Sequence, residues 1–154
     1  MFSVLLFAHS ALRWLVIFSL LWTICNSLIK WKTGAIFTKL DDKLRQSTAK
    51  FVDIQFLIGI VVYFKSPVAT QFRALGYVAG TGITDQFFFG LIHISLMLLS
   101  VIIISSGSSV SKRQKTDRMK FKSIVLFFGT ALIIILCAIP WPFSPFAQRP
   151  LLRF

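Results

Sequence analysis

The chain has 154 residues, of which 56% are hydrophobic and 14% charged, and its mean hydropathy is +0.78. Soluble domains are nearer half apolar and about a quarter charged, so this balance excludes an ordinary soluble domain and points to an integral membrane protein. The formal charge of +12 would suit nucleic acid, but twelve of the 17 Lys and Arg fall in two connecting segments, Lys30–Lys50 and Lys112–Lys122. Basic clusters flanking apolar spans are what cytoplasmic loops carry, and nucleic-acid binding is set aside.

Residues 2–29 form the first predicted span, longer than the ~20 apolar residues a helix needs to cross a bilayer. No positively charged leader or small-residue cleavage site precedes it, so it reads as retained. At 100° per residue His9, Arg13, Val16, Leu20, Thr23 and Ser27 share one stripe, which holds most of the polar atoms and should face protein. Arg13 is either a snorkelling side chain or an internal cation, and the stripe favours the second. Trp14 and Trp22 fall on other faces.

Residues 30–50 read as a basic loop with Trp31 as an interfacial anchor. The second predicted span, 49–65, carries Asp53 and Gln55 near its cytoplasmic end, on different faces, and stops at Lys65-Ser66-Pro67. Asp53 with Gln55 reads as the polar end of a helix rather than a proton site. Residues 66–85, with Gly76, Gly80 and Gly82, read as an outer loop with a short interfacial helix, and Asp85 as a helix N-terminal contact.

The third span, 86–106, carries no formal charge and holds His93 well inside it. Phe89, Gly90, His93, Met97, Ser100, Ile104 and Gly107 share a stripe, and Gly90 would let a flat ring or another helix approach the imidazole. Residues 107–122 form the second basic loop. The fourth span, 122–141, is almost purely apolar and ends at Ile139-Pro140-Trp141-Pro142-Phe143, followed by an extended tail with Arg149 and Arg153.

Four spans with both basic loops on one side make a single all-α membrane domain over residues 1–154, a four-helix bundle with both termini outside. Cys25 and Cys137 then lie near opposite ends of their spans, which argues against a disulfide, and both read as small core residues. The first and third helices run parallel, so His9 and His93 both sit roughly 10 Å below the outer boundary at ~1.5 Å per residue. Ionisable groups in hydrocarbon are costly and mark functional sites by default. Two neutral imidazoles at one depth suit the axial positions of a haem, with Arg13 to balance a propionate, Ser10 or a backbone carbonyl to orient a ring N–H, and Met97 as a weaker ligand. The other explanation is interhelical hydrogen bonding that only holds the bundle together.

HSALRWLVI, IQFLIGIVVYF, LIHISLMLL and the terminal IPWPF…RP resemble a family of small four-helix membrane proteins of Bacteroidota labelled cytochrome B. The likeness covers most of the chain through short motifs. It implies a b-type haem (heme b) protein of the bacterial inner membrane in electron transport, with His9 and His93 at two recurring histidine positions and the haem iron as the metal. Where the family often has a second histidine pair, this chain has Asp53 and, in Gly107-Ser108-Ser109, a serine, which leaves one outer haem.

The leading expectation is therefore an electron carrier near the periplasmic face, cofactor held by His9, His93, Arg13, Gly90 and Met97, with quinone or a redox partner subunit as donor and lipid around it. The alternative is a haem-free structural or assembly subunit of a larger membrane complex. A small transporter is least favoured: the chain has no Glu, and no span looks broken. No Ser/His/Asp constellation, Cys/His metal spacing or phosphate loop speaks for a stand-alone enzyme.

Overall fold

The computed structural model describes residues 2–77, 82–145 and 147–150. Among them four helices are long and apolar enough to cross a membrane: α1 (Phe2–Thr33), α2 (Lys39–Lys65), α4 (Asp85–Arg113) and α5 (Asp117–Ala138). The short α3 (Pro67–Leu75) is the helix expected in the outer loop. Gly80 and Arg153 lie outside the described residues.

Each boundary has a local cause. α1 ends at Gly34, whose φ of +67° suits a residue without Cβ, and Ala35 N–H bonds the Lys30 carbonyl at 3.1 Å. Thr38 then starts α2 through a capping box, its hydroxyl accepting from Asp41 N–H while Asp41 Oδ2 accepts from Thr38 N–H at 3.0 Å. Ser66-Pro67 ends α2 and caps α3, with proline in the first turn. Thr84 and Thr116 cap α4 and α5, and α5 stops at Ala138, two residues before Pro140.

The helices are longer than the expected spans. α2 begins at Lys39, not 49, and α4 continues to Arg113 before α5 starts at Asp117. The basic segments are thus mostly helix: Asp41, Asp42 and Arg45 supply cap and ion pairs, so the polar turns are stable outside the apolar stretch. With 32 residues α1 is about 48 Å long, more than the ~30 Å hydrocarbon core.

Neighbouring pairs α1–α2, α1–α5, α4–α5 and α2–α4 close a ring, so α1 and α4 stand diagonally across the bundle. The inner half is densely filled by Leu20, Ile104, Phe121, Ile124 and Phe128, all essentially without exposure. Thr23 and Thr48 share a hydrogen bond of 2.8 Å between their hydroxyls. Gly107 lets Phe127 come so near that an added Cβ would lie 2.2 Å from the phenylalanine Cβ.

At the inner end Asp41 accepts from Lys30 Nζ (2.6 Å), Asn26 Nδ2 (2.9 Å) and Thr38, while buried Arg45 pairs with Asp42 and donates to the Ser108 carbonyl at 2.8 Å. The outward surface is apolar, with Phe18, Trp22, Leu57, Phe64 and Ile133 all exposed, as a lipid solvent allows. Cys25 and Cys137 are free and lie on this surface, not in the core as expected: neither belongs to the small-residue stripes that bring the helices together.

Candidate functional site

The outer half of the bundle contains a cavity of about 370 Å³. Its walls come from α1, α2 and α4, with α5 behind and α3 and the tail at its outer end. The volume falls in the range of small-molecule and cofactor pockets, about 300–1,000 Å³. His9, Ser10 and Arg13 of α1 line it together with Phe89, His93, Met97 and Ser100 of α4. The diagonal placement of α1 and α4 thus brings both histidines, Arg13 and Met97 to one space.

His93 is oriented by the backbone. Its Nδ1 lies 2.8 Å from the Ala138 carbonyl where α5 ends. A carbonyl only accepts, so Nδ1 carries the proton and Nε2 keeps its lone pair, which makes no hydrogen bond among the described residues. The rings of Phe88 and Phe89 stand about 6 Å from the imidazole.

A π-helical turn over Phe88–Ile92 immediately precedes His93 and sets the orientation of the turn before it. Phe89 accordingly faces the cavity while Gly90 turns to α3. The room that Gly90 leaves is taken by Phe72, whose side chain would lie 2.3 Å from an added Cβ, and not by a flat ring beside His93; its carbonyl accepts from Tyr63 O–H at 3.0 Å.

His9 packs against α2. An added Cβ at Gly59 would lie 3.0 Å from its Cε1, so the glycine makes the space for the ring. Gln55 Nε2 donates to the His9 carbonyl at 2.8 Å and stands 3.5 Å from His9 Nε2. His9 Nδ1 and Gln55 Oε1 are buried without hydrogen-bond partners among the described residues. Orphaned buried polar atoms are uncommon in folded proteins. Gln55 thus faces the cavity at the height of His9 instead of marking the cytoplasmic end, because α2 begins ten residues sooner than the hydropathy suggested. Asp53 is half-buried and does not line the cavity.

Arg13 is an internal cation of the cavity wall, its guanidinium carbon 5.6 Å from the Trp14 ring centroid. A second guanidinium, Arg149, reaches the outer end from the tail, ion-paired to Asp85 and lying 5.1 Å over the Phe89 ring. Sequence reasoning left Gly59, Tyr63 and Arg149 out of the site. Gln55, Gly59 and Tyr63 are spaced i, i+4, i+8 on one face of α2, a signal present in the sequence, and a glycine inside an apolar helix marks a close approach.

The donor set suits a group that brings most of its own ligands. No cluster of three or more His, Cys, Asp or Glu able to hold a metal ion occurs among the described residues. Two imidazoles that line one cavity are the protein ligands a ring-bound iron would take. Arg13 would supply countercharge, Arg149 is already paired with Asp85, and the remaining wall is mostly apolar, a lining into which a haem would fit. At the inner end of α4, Ser108 is engaged by Arg45. No family model, curated protein or solved structure matches the chain.

Proposed function

We propose that the chain is a b-type haem protein of the bacterial inner membrane that handles single electrons near the periplasmic face. One observation carries this reading: His9 and His93, on diagonal helices, line a single apolar cavity of cofactor size. When bound there, the haem supplies reversible one-electron chemistry.

The protein's part is to hold and tune. The Ala138 carbonyl fixes the His93 tautomer and ring plane and strengthens Nε2 as a donor. Gly59 and Gln55 seat the His9 ring, and Arg13 balances negative charge that hydrocarbon would otherwise penalise. Phe89, Met97, Ile135 and Ile139 give the cavity an apolar wall, which would raise the potential of a haem held there. With the basic helix ends on the cytoplasmic side, the cavity lies toward the periplasm, and its one site favours exchange with quinone or a partner subunit over conduction across the whole bilayer.

An absorption spectrum of the purified full-length protein, oxidised and then reduced, tests the proposal. The expected result is a reducible Soret band, weakened in His9→Ala and in His93→Ala. Colourless protein from haem-replete cells, with one stoichiometric partner co-purifying, would overturn it in favour of a structural or assembly subunit.

A further inference from the structure

After Ala138 the chain turns back across the outer end of the bundle. Trp141 donates to the Leu136 carbonyl at 2.8 Å and stacks on Phe143, and Ala147 is buried. This path delivers Arg149 to the cavity's outer rim. Its Nη2 pairs with Asp85 Oδ2, its Nη1 donates to the Gln148 carbonyl at 2.9 Å, and the guanidinium lies over Phe89. The side chain is 22% exposed, against 41% for Asp85, and its Nε is buried with no hydrogen-bond partner among the described residues.

A guanidinium presents a planar fork that matches a carboxylate with two parallel hydrogen bonds. Asp85 takes one N–H of Nη2 and the Gln148 carbonyl one of Nη1, which leaves each terminal nitrogen a second N–H. The cavity therefore carries two guanidiniums with different origins: Arg13, built into α1, and Arg149, brought by the tail. Both line the same space. A mostly apolar cavity with two guanidiniums in its wall, one of them paired with Asp85, is complementary to a flat apolar molecule that carries carboxylates.

We infer that Arg149 is an anion-binding residue of the cavity, taking one propionate of the haem while Asp85 holds the guanidinium in position. This rests on the haem reading. Asp85 is then a positioning residue, and the tail is part of the site.

The test is an absorbance titration of the detergent-solubilised full chain, prepared from haem-depleted cells, with haem b and with its dimethyl ester, which keeps ring and iron but has no carboxylates. Arg149→Ala should weaken haem b by about 10- to 100-fold, as expected for a charge-assisted hydrogen bond removed from a partly buried site, and leave the ester unchanged. Arg149→Lys should retain part of the haem b affinity, and a cooperative melt matching the parent would show that Arg149→Ala still folds.

Equal weakening of haem b and ester, or no weakening of either, would overturn the inference and leave the haem reading standing. Wild-type protein that takes up neither molecule would overturn both.

Discussion

Gly59 provides the sharpest test of how the site is built. Gly59→Ala places a methyl group 3.0 Å from His9 Cε1 and 3.4 Å from Nδ1. Carbon atoms in good contact sit at about 3.5–4.0 Å, so the ring must retreat by roughly 0.5 Å or more. Alanine for glycine inside a helix gains about 1 kcal/mol, whereas overpacking costs about 1–3 kcal/mol. The net change in the parent protein is therefore between about zero and 2 kcal/mol of destabilisation.

Removing the ring reverses the sign. In a His9→Ala background Gly59→Ala meets no imidazole and should stabilise by about 1 kcal/mol, a coupling of about 1–3 kcal/mol between the two sites. Gly129→Ala is the control: a Cβ there meets nothing within 4 Å, so it should stabilise by about 1 kcal/mol in both backgrounds. The assay is denaturant or thermal unfolding of the detergent-solubilised full chain, followed by circular dichroism. If Gly59→Ala stabilises the parent as much as Gly129→Ala does, His9 is not seated on α2 and the account of its orientation fails.

Gly107→Ala should be far more damaging, by about 3 kcal/mol or more, because Phe127 Cβ would lie at 2.2 Å, and Phe127→Ala, which keeps that Cβ, should leave most of the loss in place in the same melts. Thr48→Val should cost about 1 kcal/mol by leaving the buried Thr23 hydroxyl without its 2.8 Å partner. Asp41→Asn should cost about 2 kcal/mol by weakening the α2 cap and the pairing of Lys30 at once, with no effect on the outer cavity's ligand spectrum. Cys25 and Cys137 should both react in folded protein with an apolar maleimide; protection of either until denaturation would contradict their outward placement.

Hydropathy and helical phase carried most of the fold. The stripe from His9 to Ser27 on α1 is the face that α1 turns inward, with Val16, Leu20, Thr23 and Ser27 buried, and Ser100, Ile104 and Gly107 do the same for α4. Phase could also say that His9 and His93 lie on inward faces, and both line the cavity. It could not say where Gly90 points, because the π turn before His93 breaks the 100° step on which phase depends. Nor could it locate the start of α2: hydropathy sees the lipid boundary, whereas Thr38 and Asp41 fix the helix boundary some ten residues earlier. Arg149 was hidden for a different reason, since a tail has no periodicity and its place is set by contacts such as those with Asp85 and Phe89.

The division between the two halves of the bundle is itself an energetic argument. Walls that enclose about 370 Å³ forgo packing worth up to ~9 kcal/mol at about 24 cal/mol per Å³, comparable to the whole stability of a small domain. Such a cost is tolerable only if the rest of the bundle is well made, and the inner half is: Phe121, Phe128, Ile104, Thr23 and Thr48 are fully buried, and Asp41 and Arg45 are both satisfied by several partners. What enters the outer cavity returns part of that cost, so a ligand at a hundred times its dissociation constant should raise stability by about 2.7 kcal/mol. The two imidazoles and two guanidiniums are thus held by an inner core that needs nothing from them, and they can be substituted one at a time without losing the bundle.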